Sequence, residues 1–368
     1  CTNRLYCFIN QRIKLIMAYT TINKSTDHFD IRTYSASGAG SVSDVSFQPD
    51  FIWFKNRASV GDHGLFDAIR GVTKYLQSNN SSTGLTGNGS NDFTAFTSNG
   101  FNYGSSSQLD TSTGTPCTWL WKANGTGSAN TAGSINSTVS VNTTSGFSIV
   151  KYTANGTQGA TVGHGLGVTP KMMMFKNLDS TLGDGEVDWG VYHSSLTATN
   201  FLKLNTTQAQ INSDGTFNDT EPSNTLFTLG GGSQGDRFAT NRTGDDYIAY
   251  CFADVQGYSK FGSYTGNGSA DGTFVYTGFS PSFVLYKDST SVSDWVMKDN
   301  RRPGFNVTDD VLYPNLSDAE GSGADIDFLS NGFKARTTAA NTNKSNAGFI
   351  YMAFAEQPLV GDNPATAR

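Results

Sequence analysis

The stretch FIWFK at residues 51–55 decides the fold, because similar stretches follow at two later points in the chain. MMMFK occupies residues 172–176 and FVLYK occupies residues 283–287, so each copy is a short apolar run that ends in lysine. Apolar runs of this length indicate central β-strands that are buried on both faces. The copies recur with a period of roughly 110 residues, which is the size of a domain and well above the period of solenoid or propeller repeats.

The sequence on both sides of these runs repeats as well. FDIRTY at 29–34, FSIVKY at 147–152 and KFGSY at 260–264 come before the three runs, and aromatic strands at 119–123, 250–253 and 351–355 come after them. Residues 147–152 and 247–252 alternate along the chain in the two-residue period of a strand. The sequence therefore predicts three similar β-rich domains in tandem.

Composition supports an all-β chain of sandwich or barrel type. The chain has 41 glycines and only 15% charged residues, and its many Asn-Gly and Asp-Gly pairs are typical of tight turns between short strands. Helical periodicity is nearly absent, and the best helical candidates are residues 67–76 and 206–211. We therefore expect less than about a tenth helix.

The predicted domain organisation follows the repeats. Residues 1–16 are an N-terminal extension, and 17–123 form the first β-sandwich repeat. Residues 124–145, rich in Gly, Ser, Thr and Asn, form an extended or mobile linker that leaves the first repeat apart from the others. The second repeat spans 146–256, the third spans 257–358, and 359–368 form a C-terminal tail. The second and third repeats have no spacer between them, so we expect them to pack rigidly.

Charge and cysteine content exclude several classes of function. The net charge is −6 and no basic cluster occurs, so we expect no nucleic-acid binding through phosphate neutralisation. The four cysteines form no CxxC pair, so we expect no zinc site and assign no metal ligands. No run of 18 apolar residues occurs, so we expect no membrane insertion.

Glu186 and Asp188 are the sharpest candidates for chemistry. Their spacing resembles the Glu-x-Asp-x-x-Glu motif of jelly-roll glycoside hydrolases, in which two carboxylates work at close separation. The third acid is absent, because Val191 follows Gly190, and the third repeat carries Val292 at the position of Glu186. We therefore predict that these carboxylates are not catalytic and that the chain has neither catalytic residues nor a cofactor.

The remaining candidates are aromatic. The Asp-Trp pairs at 188–189 and 294–295 favour a shared structural role, with tryptophan in the core and aspartate at a turn. Four tyrosines lie near turns, where they either stack on a sugar ring or pack against neighbouring loops; these ligand-facing candidates are Tyr103, Tyr192, Tyr258 and Tyr313. The predicted core positions of the repeats are Trp53, Phe175, Tyr286, Trp189 and Trp295.

Several passages of the chain, taken together, point to one family. They are MAYTTINKST at 17–26, QPDFIWFKNR at 48–57, RGVTKY at 70–75, YTGNG at 264–268, GFSP at 278–281, SNGFK at 330–334 and AFAE at 353–356. The set resembles the repeat modules of uncharacterised virion structural proteins of marine bacteriophages, such as those infecting cyanobacteria and pelagic bacteria.

This resemblance implies tandem concanavalin-like jelly-roll domains and a place on the phage particle. We expect a structural protein at the virion surface, either a tail-fibre-like appendage or a capsid decoration, that acts in assembly and host adhesion. The expected partners are other virion proteins, further copies of the chain in a homo-oligomer, and a glycan of the host surface. The alternative is a carbohydrate-binding, lectin-like module, and a polysaccharide hydrolase is the third and least favoured hypothesis.

Overall fold

The computed structural model describes residues 20–87, 92–105, 114–179, 187–231, 239–303 and 305–358. Strands make up 44% of the structure and helices 4%, and the strands pair in antiparallel sheets. The prediction of an all-β sandwich fold with less than a tenth helix is therefore confirmed.

The described strands fall into three units, which we number by their residues: 20–123, 124–256 and 257–358. In the first unit a 3₁₀ helix at Ser25–Asp27 precedes β1 (Phe29–Thr33), β2 (Gly40–Val42), β3 (Phe51–Asn56), β4 (Gly64–Asp67), β5 (Lys74–Tyr75), β6 (Leu85–Thr86), β7 (Phe93–Thr97), β8 (Gly100–Tyr103) and β9 (Pro116–Trp121).

The second unit contains the largest sheet. Its strands are β10 (Ser128–Asn130), β11 (Ser137–Asn142), β12 (Phe147–Thr153), β13 (Thr161–Gly163), β14 (Met172–Asn177), β15 (Gly190–His193), β16 (Asn200–Lys203), β17 (Ile211–Asn212), β18 (Leu226–Thr228) and β19 (Asp246–Phe252), with a one-turn helix α1 (Asp214–Phe217).

The third unit contains two four-stranded sheets. Its strands are β20 (Ser259–Thr265), β21 (Phe274–Tyr276), β22 (Ser280–Asp288), β23 (Trp295–Asp299), β24 (Thr308–Val311), β25 (Gly321–Leu329), β26 (Gly332–Ala335) and β27 (Gly348–Gln357), with a one-turn helix α2 (Ala340–Asn343).

Each unit builds the same four-stranded inner sheet. The strand orders are β1-β9-β3-β4, β12-β19-β14-β15 and β20-β27-β22-β23, and in the second unit β10-β11 and β16-β17 extend the sheet at its two edges. The register is also shared, because Phe51 pairs with Trp121, Met172 with Phe252, and Phe283 with Phe354. This register makes Lys55, Lys176 and Lys287 equivalent positions, as the repeated sequence predicts.

The inner sheets are buried on both faces. Along β3, Phe51 and Trp53 face a core that all three units share, whereas Ile52 and Phe54 face a core that belongs to the first unit alone. Strands β14 and β22 alternate in the same way. Continuous apolar runs are needed because no face of these strands meets water.

The shared core joins the three units through aromatic contacts. The rings of Phe51 and Tyr250 stack with their centroids 4.2 Å apart, which joins the first unit to the second. Phe29 and Phe354 stack at 4.8 Å between the first and third units, and Phe252 meets Phe354 edge-on at 6.1 Å between the second and third. Each large side chain buried here stabilises the fold by about 1.5–3 kcal/mol.

A smaller outer sheet covers the far face of each inner sheet. These outer sheets are β2-β8-β7, β13-β18 and β21-β26-β25-β24. The predicted turn at Asn99-Gly100 joins β7 to β8, and Gly100 has a φ of +149°, which favours glycine. Each unit is thus a two-layer sandwich whose inner layer also packs against the other two units.

The predicted linker at 124–145 is wrong, because this segment belongs to the largest sheet. Strand β11 pairs with β12 from Ser137 opposite Tyr152 to Asn142 opposite Phe147, and β10 pairs with β11. Val139 is buried in the core of the second unit. The segment has few bulky residues, but Ile135 and Val139 reach the core while backbone hydrogen bonds pair the strands. The first unit consequently does not sit apart.

The two helical candidates are also wrong. Residue 67 ends β4, and the Asp67 carboxylate accepts a hydrogen bond from the Arg70 backbone N–H at 2.9 Å, which favours a turn. The chain then returns as β5, and Leu76 bridges to Leu65. Residues 206–211 lead through turns into β17.

The shared core predicts that the units cannot fold separately. We expect the full chain to melt in one calorimetric transition. A fragment of residues 124–368 should lack a cooperative transition, because it exposes the face of Tyr250 and Phe252 that the first unit covers. Differential scanning calorimetry of both proteins measures this, and a sharp transition of the fragment near that of the full chain would contradict the shared core.

Candidate functional site

Three of the four tyrosines selected as ligand-facing lie inside the protein, and the fourth is half-buried. Tyr103, Tyr192 and Tyr258 are each less than a tenth exposed, and the half-buried Tyr313 packs against the core of the third unit. The Tyr192 hydroxyl hydrogen-bonds to Glu221, and Tyr258 meets Phe354 edge-on in the shared core. The three buried rings fill space between layers and offer no sugar platform, although each stands beside a turn in the sequence.

The predicted core positions of the repeats are all buried. Trp53, Trp189 and Trp295 belong to the shared core, and Phe175 and Tyr286 belong to the cores of the second and third units. Trp53 is therefore not equivalent to Phe175 and Tyr286.

Asp188 has a structural partner, whereas Glu186 lies outside the described residues. The Asn205 amide donates a hydrogen bond to the Asp188 carboxylate at 2.7 Å, and Lys203 forms an ion pair with it at 2.7 Å. Burial alone would raise the pKa of Asp188, but the hydrogen bonds from Lys203 and Asn205 outweigh burial and lower it. A carboxylate held ionised in this way is unsuited to donate a proton.

The Asp188–Asn205 pair recurs in all three units. The asparagine amide donates to an aspartate carboxylate, and the asparagine oxygen accepts the backbone N–H of the ring residue that follows that aspartate. The carboxylate distances are 2.6 Å for Asn79–Asp62, 2.7 Å for Asn205–Asp188 and 2.7 Å for Asn315–Asp294. The ring residues, held at 3.0, 3.0 and 2.8 Å, are His63, Trp189 and Trp295.

Each of these rings then reaches into the neighbouring unit. The acceptor is always the backbone carbonyl two residues before the neighbour's own asparagine. His63 meets the Tyr313 carbonyl at 3.2 Å, Trp189 donates to the Gln77 carbonyl at 2.9 Å, and Trp295 donates to the Lys203 carbonyl at 2.9 Å. The direction is cyclic, because the first unit contacts the third, the second contacts the first, and the third contacts the second. The molecule therefore has an approximate threefold axis within one chain.

The lysines that end the three repeated runs follow the same cycle. Each ammonium group is buried with its side chain and donates to a carbonyl two residues after the neighbour's asparagine. The contacts are Lys55 to Ser317 at 3.2 Å, Lys176 to Ser81 at 2.8 Å and Lys287 to Thr207 at 3.4 Å. Burial lowers the pKa of Lys287 to about 8. These lysines act between the units, which explains why a charged residue ends each apolar strand.

The sequence contains a signal for these junctions that was not recognised before the structure. It is Leu-x-x-Asn-x-Ser/Thr, which occurs at 76–81, 202–207 and 312–317. The leucine lies in the shared core. The asparagine hydrogen-bonds to the aspartate and to the backbone of the ring residue after it. The last residue provides the backbone carbonyl that accepts from the lysine of a neighbouring unit. The Asn-x-Ser/Thr triplets at these three places thus have a structural origin.

Hydrogen bonds and burial hold three histidines in their neutral form. In His63, His164 and His193, Nδ1 accepts a hydrogen bond, from the Trp53 indole or from a backbone N–H two residues later. In each ring Nε2 faces a carbonyl oxygen, so the neutral ring is required. Burial lowers the pKa of His63 to about 3 and those of His164 and His193 to about 4.

One surface groove carries the polar and aromatic groups that a ligand site needs. It has a volume of about 520 Å³ and lies in the third unit beside Asp254, Gln256, Lys260 and Tyr276. The Tyr276 ring is 59% exposed and neighbours the exposed Phe274 on the same face of β21. The described residues contain no group of three or more histidine, cysteine or acidic side chains placed to hold a metal ion. In the same part of the chain, no helix is long and apolar enough to cross a bilayer.

The equivalence of Trp189 and Trp295 predicts similar stability losses. We expect Trp189→Ala and Trp295→Ala each to lower the free energy of unfolding by about 3–5 kcal/mol, because both rings are buried where two units meet. Chemical denaturation measures the loss. The matched control is Val292→Ala at a 76% exposed position, which should change stability by less than about 0.5 kcal/mol. Unchanged stability of both tryptophan variants would contradict the interlocked arrangement.

The histidine networks predict that stability falls as the pH decreases from 6.5 to 5. In this range the unfolded chain binds protons on these histidines while the folded chain does not, so folding becomes less favourable by about 1–2 kcal/mol per histidine. Melting temperature measured against pH gives the slope. His193→Gln should flatten the slope more than His28→Gln, because His28 is only partly buried and its pKa is lowered less far. Equal slopes in all three proteins would contradict this assignment.

The comparisons with known proteins give a family for this chain. No curated protein and no solved structure matches it. One family model, described as a domain of unknown function (DUF7483), matches residues 24–358. This match begins just before the first strand and ends just after the last, so it covers all three interlocked units. The chain belongs to the DUF7483 family.

Proposed function

We propose that this chain is a structural protein of the surface of a bacteriophage particle, in a tail-fibre-like appendage or a capsid decoration. The observation that carries the proposal is the cycle of contacts between the units. Each unit places one ring and one lysine against backbone carbonyls of a neighbouring unit. A single chain thereby forms a rigid three-lobed body, and such a body suits an architectural part that must keep its shape. The sequence resemblance to phage virion modules points in the same direction.

The use of polar residues supports an architectural role. The lysines, the Asp-Asn pairs and the buried histidines all act between layers or between units. Asp188, the described member of the hydrolase-like pair, holds Asn205 and Lys203. In this interpretation Asp188, His63 and His193 help to join the units, and the outward loops are left to contact other virion proteins and the host.

A second candidate function, glycan binding, is favoured by the groove beside Tyr276. An exposed ring next to an acid, an amide and an ammonium group is the combination that sugars bind through stacking and hydrogen bonds. This groove replaces the buried tyrosines as the structural basis of the lectin-like alternative. Glycan binding is compatible with a place on the particle, since adhesion to a host surface uses both.

The test of the virion assignment uses particles of a phage that encodes this sequence. After gradient purification, we expect peptide mass spectrometry to detect the chain at a fixed ratio to the major capsid protein. Antibodies against the folded chain should label intact particles in the electron microscope. Recovery of the chain only in the soluble fraction of the lysate would contradict the proposal.

Incubation of the purified chain with bacterial and algal polysaccharides separates the hydrolase hypothesis from the structural one. A structural protein releases no reducing ends. Release by the wild type that disappears in Glu186→Gln would make the chain an enzyme and overturn the structural assignment.

A further inference from the structure

The threefold repetition breaks at one polar position, and this break points to a binding site. Five residues after each junction asparagine, a backbone N–H donates to a carbonyl of the neighbouring unit. The pairs are Gly84 to Leu178 at 3.0 Å, Gln210 to Ser289 at 2.9 Å and Glu320 to Arg57 at 2.9 Å. The backbone is thus equivalent in all three units, whereas the side chain changes from none to an amide to a carboxylate.

Between the third and first units, the Glu320 carboxylate occupies the junction. It accepts hydrogen bonds from Arg302 Nη1 at 2.9 Å and from Arg57 Nε at 2.9 Å. Arg302 also donates to Asp299 and to the Met297 carbonyl, so every nitrogen of its guanidinium has an acceptor. This arrangement is the expected one for a fully buried arginine.

Arg70 is the equivalent arginine between the first and second units, and it lacks this carboxylate. Its Nε donates to Asp67, and its Nη2 donates to the Leu65 carbonyl at 3.0 Å, as in Arg302. Its Nη1 has no hydrogen-bond partner among the described residues, although the side chain is only 4% exposed. Gly84 stands where Glu320 stands in the other junction and has no side chain to offer. An unpaired buried donor destabilises the fold, and the effect is larger when the donor belongs to a charged group.

A cavity of about 260 Å³ lies where the carboxylate is missing. Arg70, Gly84 and Leu178 line it, together with two further cations, Lys74 and Lys151, and two acids, Asp179 and Asp246. Both acids are engaged, because Asp246 pairs with Lys151 at 2.8 Å and Asp179 accepts the Asp246 backbone N–H at 2.6 Å. Both acids therefore already accept a hydrogen bond, whereas Nη1 of Arg70 is a donor that lacks an acceptor among the described residues.

We propose that this cavity binds the carboxylate of an acidic sugar, which takes the place that the Glu320 side chain fills in the other junction. A second cavity of about 340 Å³ shares Lys151 and Asp246 with the first and is lined by Asn136, Ser137, Thr138 and Thr153. Amide and hydroxyl groups are suited to a ligand rich in hydroxyls, which favours a sugar over an acidic peptide. The proposal rests on the adhesion role proposed above and names a ligand class for it.

The ligand has to displace part of the cavity wall to reach Nη1, because this atom has almost no accessible surface. Leu178 is only partly buried and lines the cavity, and the proposal assigns this movement to its side chain. Pairing the desolvated guanidinium with a carboxylate offsets this rearrangement, since charge-assisted hydrogen bonds are about twice as strong as neutral ones. Lys74 at the rim attracts the same anion.

Titration calorimetry of the full chain with four probes tests the site: glucuronate, glucose, glutarate and glucose 6-sulfate. We expect saturable binding of glucuronate and at least about tenfold weaker binding of each other probe, because only glucuronate combines the carboxylate with the sugar ring. Lys74→Glu should weaken glucuronate binding about tenfold or more through charge reversal. Arg70→Gln should abolish binding, with its melting curve confirming that the protein is folded.

The matched control is Lys344→Glu in the third unit. Lys344 is an exposed lysine that donates to a serine hydroxyl, as Lys74 donates to a threonine hydroxyl, and its variant should bind glucuronate within twofold of the wild type. Equal binding of glutarate would overturn the sugar assignment, and equal binding of the sulfate would overturn the carboxylate. Equal losses in both lysine variants, or no glucuronate binding, would overturn the site. These measurements use the isolated chain, so a lack of glucuronate binding would not contradict the virion assignment. Absence of the chain from phage particles would likewise not contradict glucuronate binding.

Discussion

The interaction on which the rest of this structure depends is the packing of three inner sheets around one aromatic core. Phe51, Met172 and Phe283 occupy equivalent positions in the central strands, and Trp121, Phe252 and Phe354 lie opposite them in register. Because every inner sheet has an apolar face toward the other two, no unit can bury its surface alone. Each outer sheet then covers the remaining face and completes a sandwich.

A shared core of this kind brings polar backbone to the places where the units meet. Buried carbonyl and amide groups need hydrogen-bond partners there. Leaving one unpaired destabilises the fold by more than a typical hydrogen bond stabilises it. The chain meets this requirement with one set of residues used three times: a lysine, an aspartate followed by a ring, and an asparagine. The same contacts fix how each unit is placed against its neighbours. The hydrogen bonds that pair the buried backbone groups therefore also determine the arrangement of the three units.

The positions at which the three units differ indicate where the protein could bind a ligand. His63 replaces a tryptophan and His193 replaces an aspartate, and each still forms a hydrogen bond with the neighbouring unit, in which the imidazole Nε2 donates to a carbonyl. Gly84 differs, because no described residue pairs a carboxylate with Arg70 Nη1 as Glu320 does with Arg302 Nη1. A substitution that keeps its hydrogen bond preserves the architecture, whereas one that leaves a buried cation unpaired marks a place where a ligand can complete the structure.

Much of the fold could be read from the sequence, because strand patterning is local. The three apolar runs, their lysines and the alternation at 147–152 and 247–252 predicted central strands, an all-β class and a threefold repeat. The equivalence of Trp189 and Trp295 followed from their shared Asp-Trp pairs. These inferences need only the two-residue period of a strand and the length of an apolar run.

The relation between the repeats was decided by the tertiary structure alone. A residue such as Trp119 or Tyr250 reads as core in any sandwich, and nothing in the strand pattern says whether its neighbours come from the same unit or from another. For this reason three of the four tyrosines chosen as ligand platforms proved buried, residues 124–145 proved to contain two strands, and the cavity at Arg70 could not be foreseen. Sequence determined which faces are apolar, and long-range packing determined what covers them, because burial depends on surfaces that meet only after the chain has folded.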